Sequence, residues 1–184
     1  MGYTIDYIGK FNLNKPLTEE HAKFLKDFAA TRHYHRAWKP EEEKGKWFVD
    51  PECKLEPDFY NDEEYKKVLY AKPYDHEKRK AYELEKWGCI SCNDVNPGMP
   101  SFYCQWVPTE DMMGIEWDGG EKFYEAKKWI EFIIENYLKP WGYVLNGQIE
   151  YRYGAKEYPS EFGYLIVKDN IVEVAADEES ELTL

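Results

Sequence analysis

The chain has 184 residues, of which 43% are hydrophobic and 17% aromatic, and its net charge at pH 7 is −12. This composition suits one globular domain and argues against a disordered chain. Residues 101–184 hold 17 acidic and 7 basic side chains. This excess of negative charge argues against direct binding to nucleic acid, because phosphates bind basic groups.

The first elements are predicted from periodicity. Alternating apolar and polar residues predict a strand over residues 3–12. A helix is predicted over residues 18–31, where Thr18 is a suitable N-cap and two glutamates follow it. Residues 32–61 are expected to be irregular, because prolines and a glycine interrupt them.

The middle of the chain is predicted to hold two short helices, over residues 62–69 and 75–87. Each begins at an aspartate that can serve as its N-cap. Gly88 occupies the position of a C-cap glycine after the second helix. Residues 89–100 then contain asparagine, glycine and two prolines, which favours a loop.

The last third begins with a predicted hairpin of strands 102–108 and 114–118, with residues 109–113 at its tip. Asp118 and Glu121 have the spacing of a capping box, which predicts a helix from residue 121 to about residue 138. The wide apolar face of this helix makes it the main core element.

Strands complete the predicted order. A strand over residues 143–153 contains the pair Asn146-Gly147, a strong signal for a tight hairpin turn, so the chain either continues or folds back there. Two more strands, 163–168 and 171–175, flank a second two-residue turn.

This order predicts an α+β fold, in which an antiparallel sheet carries helices on one face, with a ferredoxin-like split unit as the specific form. We expect one domain over residues 1–176, within which residues 33–100 form a helical or irregular insertion or divergent segment. Residues 177–184 are expected to be a frayed acidic tail.

Two stretches of the chain resemble known proteins. They are YTIDYIG (3–9) with LNKPL (13–17), and WVPTED (106–111) followed by IEWDGGEKFY (115–124) and LKPWGYVLNG (138–147). These stretches resemble a group of small, mostly uncharacterised proteins encoded by tailed bacteriophages and prophages. The resemblance covers about residues 3–32 and 102–174, whereas residues 33–100 do not match.

The resemblance implies a phage origin and action in the host cytoplasm. Small accessory phage proteins often block host defences by binding them, which makes an anti-CRISPR-like inhibitor the expected function. No catalytic residue is carried over from the group. The sequence also lacks a signal peptide and any apolar run near the roughly 20 residues of a membrane span, so a cytoplasmic protein without a membrane partner is expected.

The most specific chemical feature is the pair Cys89 and Cys92, which follows a predicted helix end. Two cysteines at this spacing can bind one zinc ion, although the sequence favours two ordinary thiols in a loop. A redox pair is the least favoured alternative, because such a pair lies between a strand and a helix start. Further ligands for zinc would come from these residues: Cys53, Cys104, His76, His33 and His35.

A candidate partner-binding surface lies around the predicted hairpin. Carboxylates there could stand where phosphates would sit on a basic host protein, while tryptophans supply anchors. Its residues are Glu110, Asp111, Glu116, Asp118, Glu121, Trp106 and Trp117. The sequence thus favours a non-enzymatic binding protein that acts as a phosphate mimic without a cofactor. The alternative is a small zinc module or metal-dependent hydrolase.

Overall fold

The protein was analysed as a computed structural model, which describes residues 5–37, 61–155 and 158–176. In chain order its elements are β1 (Ile5–Ile8), β2 (Lys10–Leu13), α1 (Glu19–Ala30), β3 (Tyr34–Arg36), α2 (Glu63–Leu69), α3 (His76–Trp87), β4 (Cys89–Val95), β5 (Trp106–Pro108), β6 (Gly114–Trp117), α4 (Ala126–Ile133) with a π-helical turn (Ile134–Leu138), β7 (Leu145–Ala155), β8 (Tyr158–Lys168) and β9 (Ile171–Ala176). The α+β prediction is confirmed.

The chain divides into two compact units. Unit 1 comprises Met1–Ala29 and Cys104–Leu184, and unit 2 comprises Ala30–Tyr103. The segment 33–100, which the sequence sets apart, falls inside unit 2. The predicted tail, residues 177–184, lies outside the described residues.

Unit 1 is built on a seven-stranded sheet with the order β5-β6-β2-β7-β8-β9, in which β1 also pairs with β7. Every pairing in it is antiparallel. The order β5-β6-β2-β7 is compatible with a split β-α-β arrangement, and the ferredoxin-like form stays a prediction.

One face of this sheet is buried. Phe11 lies opposite Ile115 on one side and Gly147 on the other, and Ile149 lies opposite Leu165. Because directly opposed residues share a face, these apolar side chains form one continuous layer. Each of the four apolar residues is at most 2% exposed. The opposite face therefore carries the polar residues of the same strands.

Helices α1 and α4 contribute the rest of the core of unit 1. The ring of Phe28 in α1 meets the ring of Trp129 in α4 edge-on, with centroids 5.7 Å apart. The indole N–H of Trp106 in β5 donates to the carbonyl of Ala126, over 2.8 Å. Aromatic contacts of this kind combine large buried areas with favourable ring geometry.

Unit 2 contains α2, α3 and a two-stranded sheet of β3 and β4. The predicted caps are confirmed, since Asp62 accepts from the backbone of Tyr65 and Asp75 accepts from that of Lys78. Gly88 ends α3 in a left-handed conformation with φ of 61°. The loop predicted over residues 89–100 is wrong in its first half, because β4 pairs with β3 there.

Two strand predictions need correction. The strand predicted over residues 3–12 is divided at Gly9, whose φ of 113° is readily adopted only by glycine. The hairpin alternative at Asn146-Gly147 is wrong, because β7 continues through both residues. Gly147 instead permits close approach of β2, since a Cβ there would lie 3.2 Å from the Cα of Phe11.

The predicted start of the last helix is also wrong. Lys122 and Glu125 adopt left-handed conformations, with φ of 58° and 59°, so regular helix begins only at Ala126. Asp118 accepts a hydrogen bond from the backbone of Gly120 at 2.7 Å and does not cap the helix. The predicted turn between β8 and β9 is confirmed, because Asp169 and Asn170 both have positive φ.

Within the described part of the chain, none of the helices combines the length and apolar character that crossing a membrane demands.

Candidate acidic binding site and cysteine pair

An open depression of about 450 Å³ lies in unit 1 beside the β5–β6 hairpin. Its lining residues are Lys10, Thr109, Glu110, Asp111 and Glu116. Three of the predicted partner-binding carboxylates therefore come together here, beside a single ammonium group. The depression carries an excess of negative charge and opens to solvent, which suits contact with a basic group.

The strands explain why these side chains meet. Lys10 in β2 lies directly opposite Glu116 in β6, so both project from the polar face of the sheet. At the hairpin tip, the backbone N–H of Thr109 donates to the carbonyl of Gly114, over 2.9 Å. Gly114 is required at this point, because a Cβ there would lie 2.4 Å from the carbonyl oxygen of Phe11.

Asp111 is the most firmly held of these carboxylates. It accepts from the hydroxyl of Thr109 at 2.5 Å and from the backbone N–H of Met113 at 2.9 Å. The ammonium group of Lys10 lies 3.5 Å away. The hydrogen bond from Thr109, followed by that from Met113, lowers the pKa of Asp111, so its negative charge is fixed at neutral pH.

The other predicted members of the surface do not line the depression. Asp118 and Glu121 are exposed beyond the end of β6. Desolvation of the Asp118 carboxyl group by nearby protein atoms raises its pKa, against the opposing hydrogen bond from the backbone of Gly120. Trp117 is half-buried, and its indole N–H donates to Gln105 over 2.9 Å. Trp106 is completely buried, so its ring belongs to the core. The prediction that Trp106 is a surface anchor is therefore wrong.

Elsewhere in residues 101–184 the carboxylates are partly neutralised by neighbouring basic groups. Among the described residues, these surface pairs are Glu125–Lys128, Glu131–Lys127, Glu135–Lys139 and Glu150–Arg152. Neither Glu110 nor Glu116 has an ion pair within the described residues. Asp118, Glu121, Asp169 and Glu173 likewise have no ion pair within the described residues, so the uncompensated negative charge of this half is not confined to the depression.

In unit 2 the structure brings the predicted cysteine pair together. The sulfur atoms of Cys89 and Cys92 are 2.7 Å apart, and the two side chains are 1% and 9% exposed. Hydrogen bonding with Cys92, together with burial, raises the pKa of the Cys89 thiol. Burial likewise raises the pKa of Cys104, which belongs to unit 1.

A zinc site needs more ligands than this pair. Within the described ranges, no three His, Cys, Asp or Glu side chains are grouped so that they could hold a metal ion. Cys53, one of the further ligands that the sequence suggests, lies outside those ranges. Zinc binding by Cys89 and Cys92 stays a prediction.

Sequence reasoning missed Lys10 and Thr109 as part of the acidic site. Lys10 is 101 positions away from Asp111 along the chain, and only the pairing of β2 with β6 brings them together. The signal for Thr109 was present, because a Thr-x-Asp pattern at a hairpin tip favours a local hydrogen bond.

No protein-family model, curated protein or solved structure matched the chain. The resemblance to phage proteins stays a prediction.

Proposed function

We propose that the chain acts by binding a partner protein, and that the acidic depression lined by Glu110, Asp111 and Glu116 receives a basic surface of that partner. The observation that carries the proposal is the local excess of carboxylates in one open depression, with one nearby ammonium group. Such a site attracts basic surfaces over distance and speeds their association.

The chemistry of the partner follows from the charge. Lysine and arginine side chains of a nucleic-acid-handling protein bind phosphates, and carboxylates can occupy the same positions. Together with the phage resemblance, this suggests a host defence complex, such as a CRISPR effector, as the partner. In this proposal the chain works in the host cytoplasm by occlusion, which requires neither catalysis nor a cofactor.

The experiment compares capture of partners from lysate of the bacterial host by two matched double variants. E110Q/E116Q removes two charges from the depression, whereas E131Q/E135Q removes two from α4 and the adjoining turn. We expect the first variant to bind the captured partner about three- to ten-fold more weakly, since exposed charge pairs each contribute up to about 1 kcal/mol. The second variant should bind as the wild type does.

Salt dependence supplies the second readout. Wild-type binding should weaken as ionic strength rises, because salt screens interactions between exposed charges. If both double variants bind alike, or if binding is indifferent to salt, the depression is not the contact surface.

A further inference from the structure

The cysteine pair lies in a strand whose register is irregular. Arg36 in β3 lies opposite Cys89 and the preceding His35 lies opposite Ser91, with a register shift between them. In a regular strand, side chains three positions apart point to opposite faces. A β-bulge breaks this alternation, and the bulged strand bends. The irregular pairing thus accounts for how Cys89 and Cys92 face each other.

The surroundings of the pair combine aromatic rings with charged groups, because Glu83 and Arg36 both act electrostatically on Cys89. Cys89 and Cys92 form a small buried cluster with Tyr34, and the ring of Phe102 packs against it. Both cysteines are buried, and Cys92 is the more exposed of the two, at 9% against 1% for Cys89. Hydrogen bonding with Cys92, together with burial, raises the pKa of the Cys89 thiol. The two thiols therefore differ in their exposure to solvent.

We propose that Cys89 and Cys92 form a reversible oxidation site, at which a low-molecular-weight disulfide such as oxidised glutathione converts the dithiol to an intramolecular disulfide. The sulfur atoms are 2.7 Å apart, so little movement is needed to reach the S–S bond length of about 2.05 Å. This site lies in unit 2 and is independent of the acidic depression in unit 1.

The reaction has two exchange steps. The Cys92 thiolate attacks one sulfur of the small disulfide, whose S–S bond breaks and releases one small thiol after protonation. Cys89 then gives up its proton and attacks the sulfur of Cys92, which forms the intramolecular bond. The second small thiolate leaves and is protonated to the thiol. The protein loses two electrons and two protons, and the small disulfide gains both.

The test maps disulfides in the full-length, folded protein. The protein is incubated with oxidised glutathione, remaining thiols are alkylated, and peptides are identified by mass spectrometry. Chymotrypsin cleaves after Phe102 and Tyr103 and so separates Cys104 from the pair. We expect the Cys89–Cys92 disulfide to exceed glutathione adducts on either cysteine by about ten-fold, because the second step is intramolecular. Excess reduced glutathione should reverse it.

Two variants make the order of attack visible. C89S should accumulate a stable glutathione adduct on Cys92, because the thiol that resolves it is missing. C92S should react about ten-fold more slowly than C89S, because Cys89 is the less exposed of the two cysteines. C104S serves as the control and should form the Cys89–Cys92 bond as the wild type does. Circular dichroism confirms that each variant is folded.

Three results would overturn the proposal. The first is a folded wild-type protein that stays reduced while the urea-unfolded chain forms the bond. The second is persistent glutathione on both cysteines. The third is one zinc ion per chain in the isolated protein that must be removed before the bond forms, which would make the pair a metal site.

Discussion

In unit 1, large apolar side chains fill the space between a long sheet and its helices, with Trp106 and Trp129 both completely buried. In unit 2, several of the closest contacts are polar. The hydroxyl of Tyr65 donates to the buried carboxylate of Glu83 at 2.5 Å, and Arg79 pairs with the same carboxylate at 2.7 Å.

This difference determines how each unit should respond to change. Apolar packing loses stability when a cavity is opened, largely independently of pH. A polar network loses stability when one partner is removed or changes its protonation state. Comparing variants of the two units by unfolding therefore separates the two modes of stabilisation.

The largest expected effect is in the core of unit 1. Trp129→Ala removes a ring that contacts Phe28 and Phe132, and should lower the free energy of unfolding by about 3–5 kcal/mol. Urea unfolding followed by circular dichroism measures the change. Tyr124→Ala, at a 64% exposed position, is the control and should cost less than about 1 kcal/mol. Similar losses for both would argue against the described core.

A smaller effect is expected at the network of unit 2. Tyr65→Phe deletes the hydroxyl that donates a hydrogen bond to the carboxylate of Glu83. Glu83 is only 5% exposed. The free energy of unfolding should fall by about 1–3 kcal/mol, because a buried carboxylate loses a donor. Tyr70→Phe is the matched control at a 69% exposed position, where no change is expected. An equal response of the two variants would show that the hydroxyl of Tyr65 contributes little.

The third effect appears only in acid. Hydrogen bonding from the Lys86 ammonium group, followed by that from the backbone of Tyr65 and the hydroxyl of Tyr82, lowers the pKa of Asp62 from 3.8 to about 2 despite opposing desolvation. A lowered carboxyl pKa stabilises the fold fully above the unfolded value, and this stabilisation is lost as pH falls from about 4 towards 2.

Asp62→Asn should therefore reduce the loss of stability below about pH 4, measured as urea midpoints across the acid range. Asp75→Asn changes the N-cap of α3, where no ion pair is present among the described residues, and is the control. If both variants lose stability in acid as steeply as the wild type, the contacts of Asp62 do not contribute.

Most local signals in the sequence predicted local structure, but the capping-box spacing of Asp118 and Glu121 did not, since regular helix begins only at Ala126. The caps Asp62, Asp75 and Gly88 lie within or next to the elements that they begin or end, so their spacing was sufficient. The turn at Asp169 and Asn170 was predicted for the same reason.

Features that depend on distant partners could not be predicted. Asn146-Gly147 resembles a hairpin turn, but the pairing of β7 with β2 and β8 keeps the chain extended there. The pairing of β4 with β3 likewise depends on residues more than 50 positions away. The acidic depression also includes Lys10, which is 101 positions away from Asp111 along the chain. Nothing in the sequence indicates that these two side chains lie close together.

The most direct test of the proposed acidic site is a titration of the isotope-labelled full chain with a short oligolysine peptide, followed by NMR. Amide shifts should concentrate at Lys10, Thr109–Asp111 and Glu116, and E110Q/E116Q should reduce them while E131Q/E135Q leaves them unchanged. Shifts that concentrate on α4, or that spread evenly over the exposed carboxylates, would contradict the proposal.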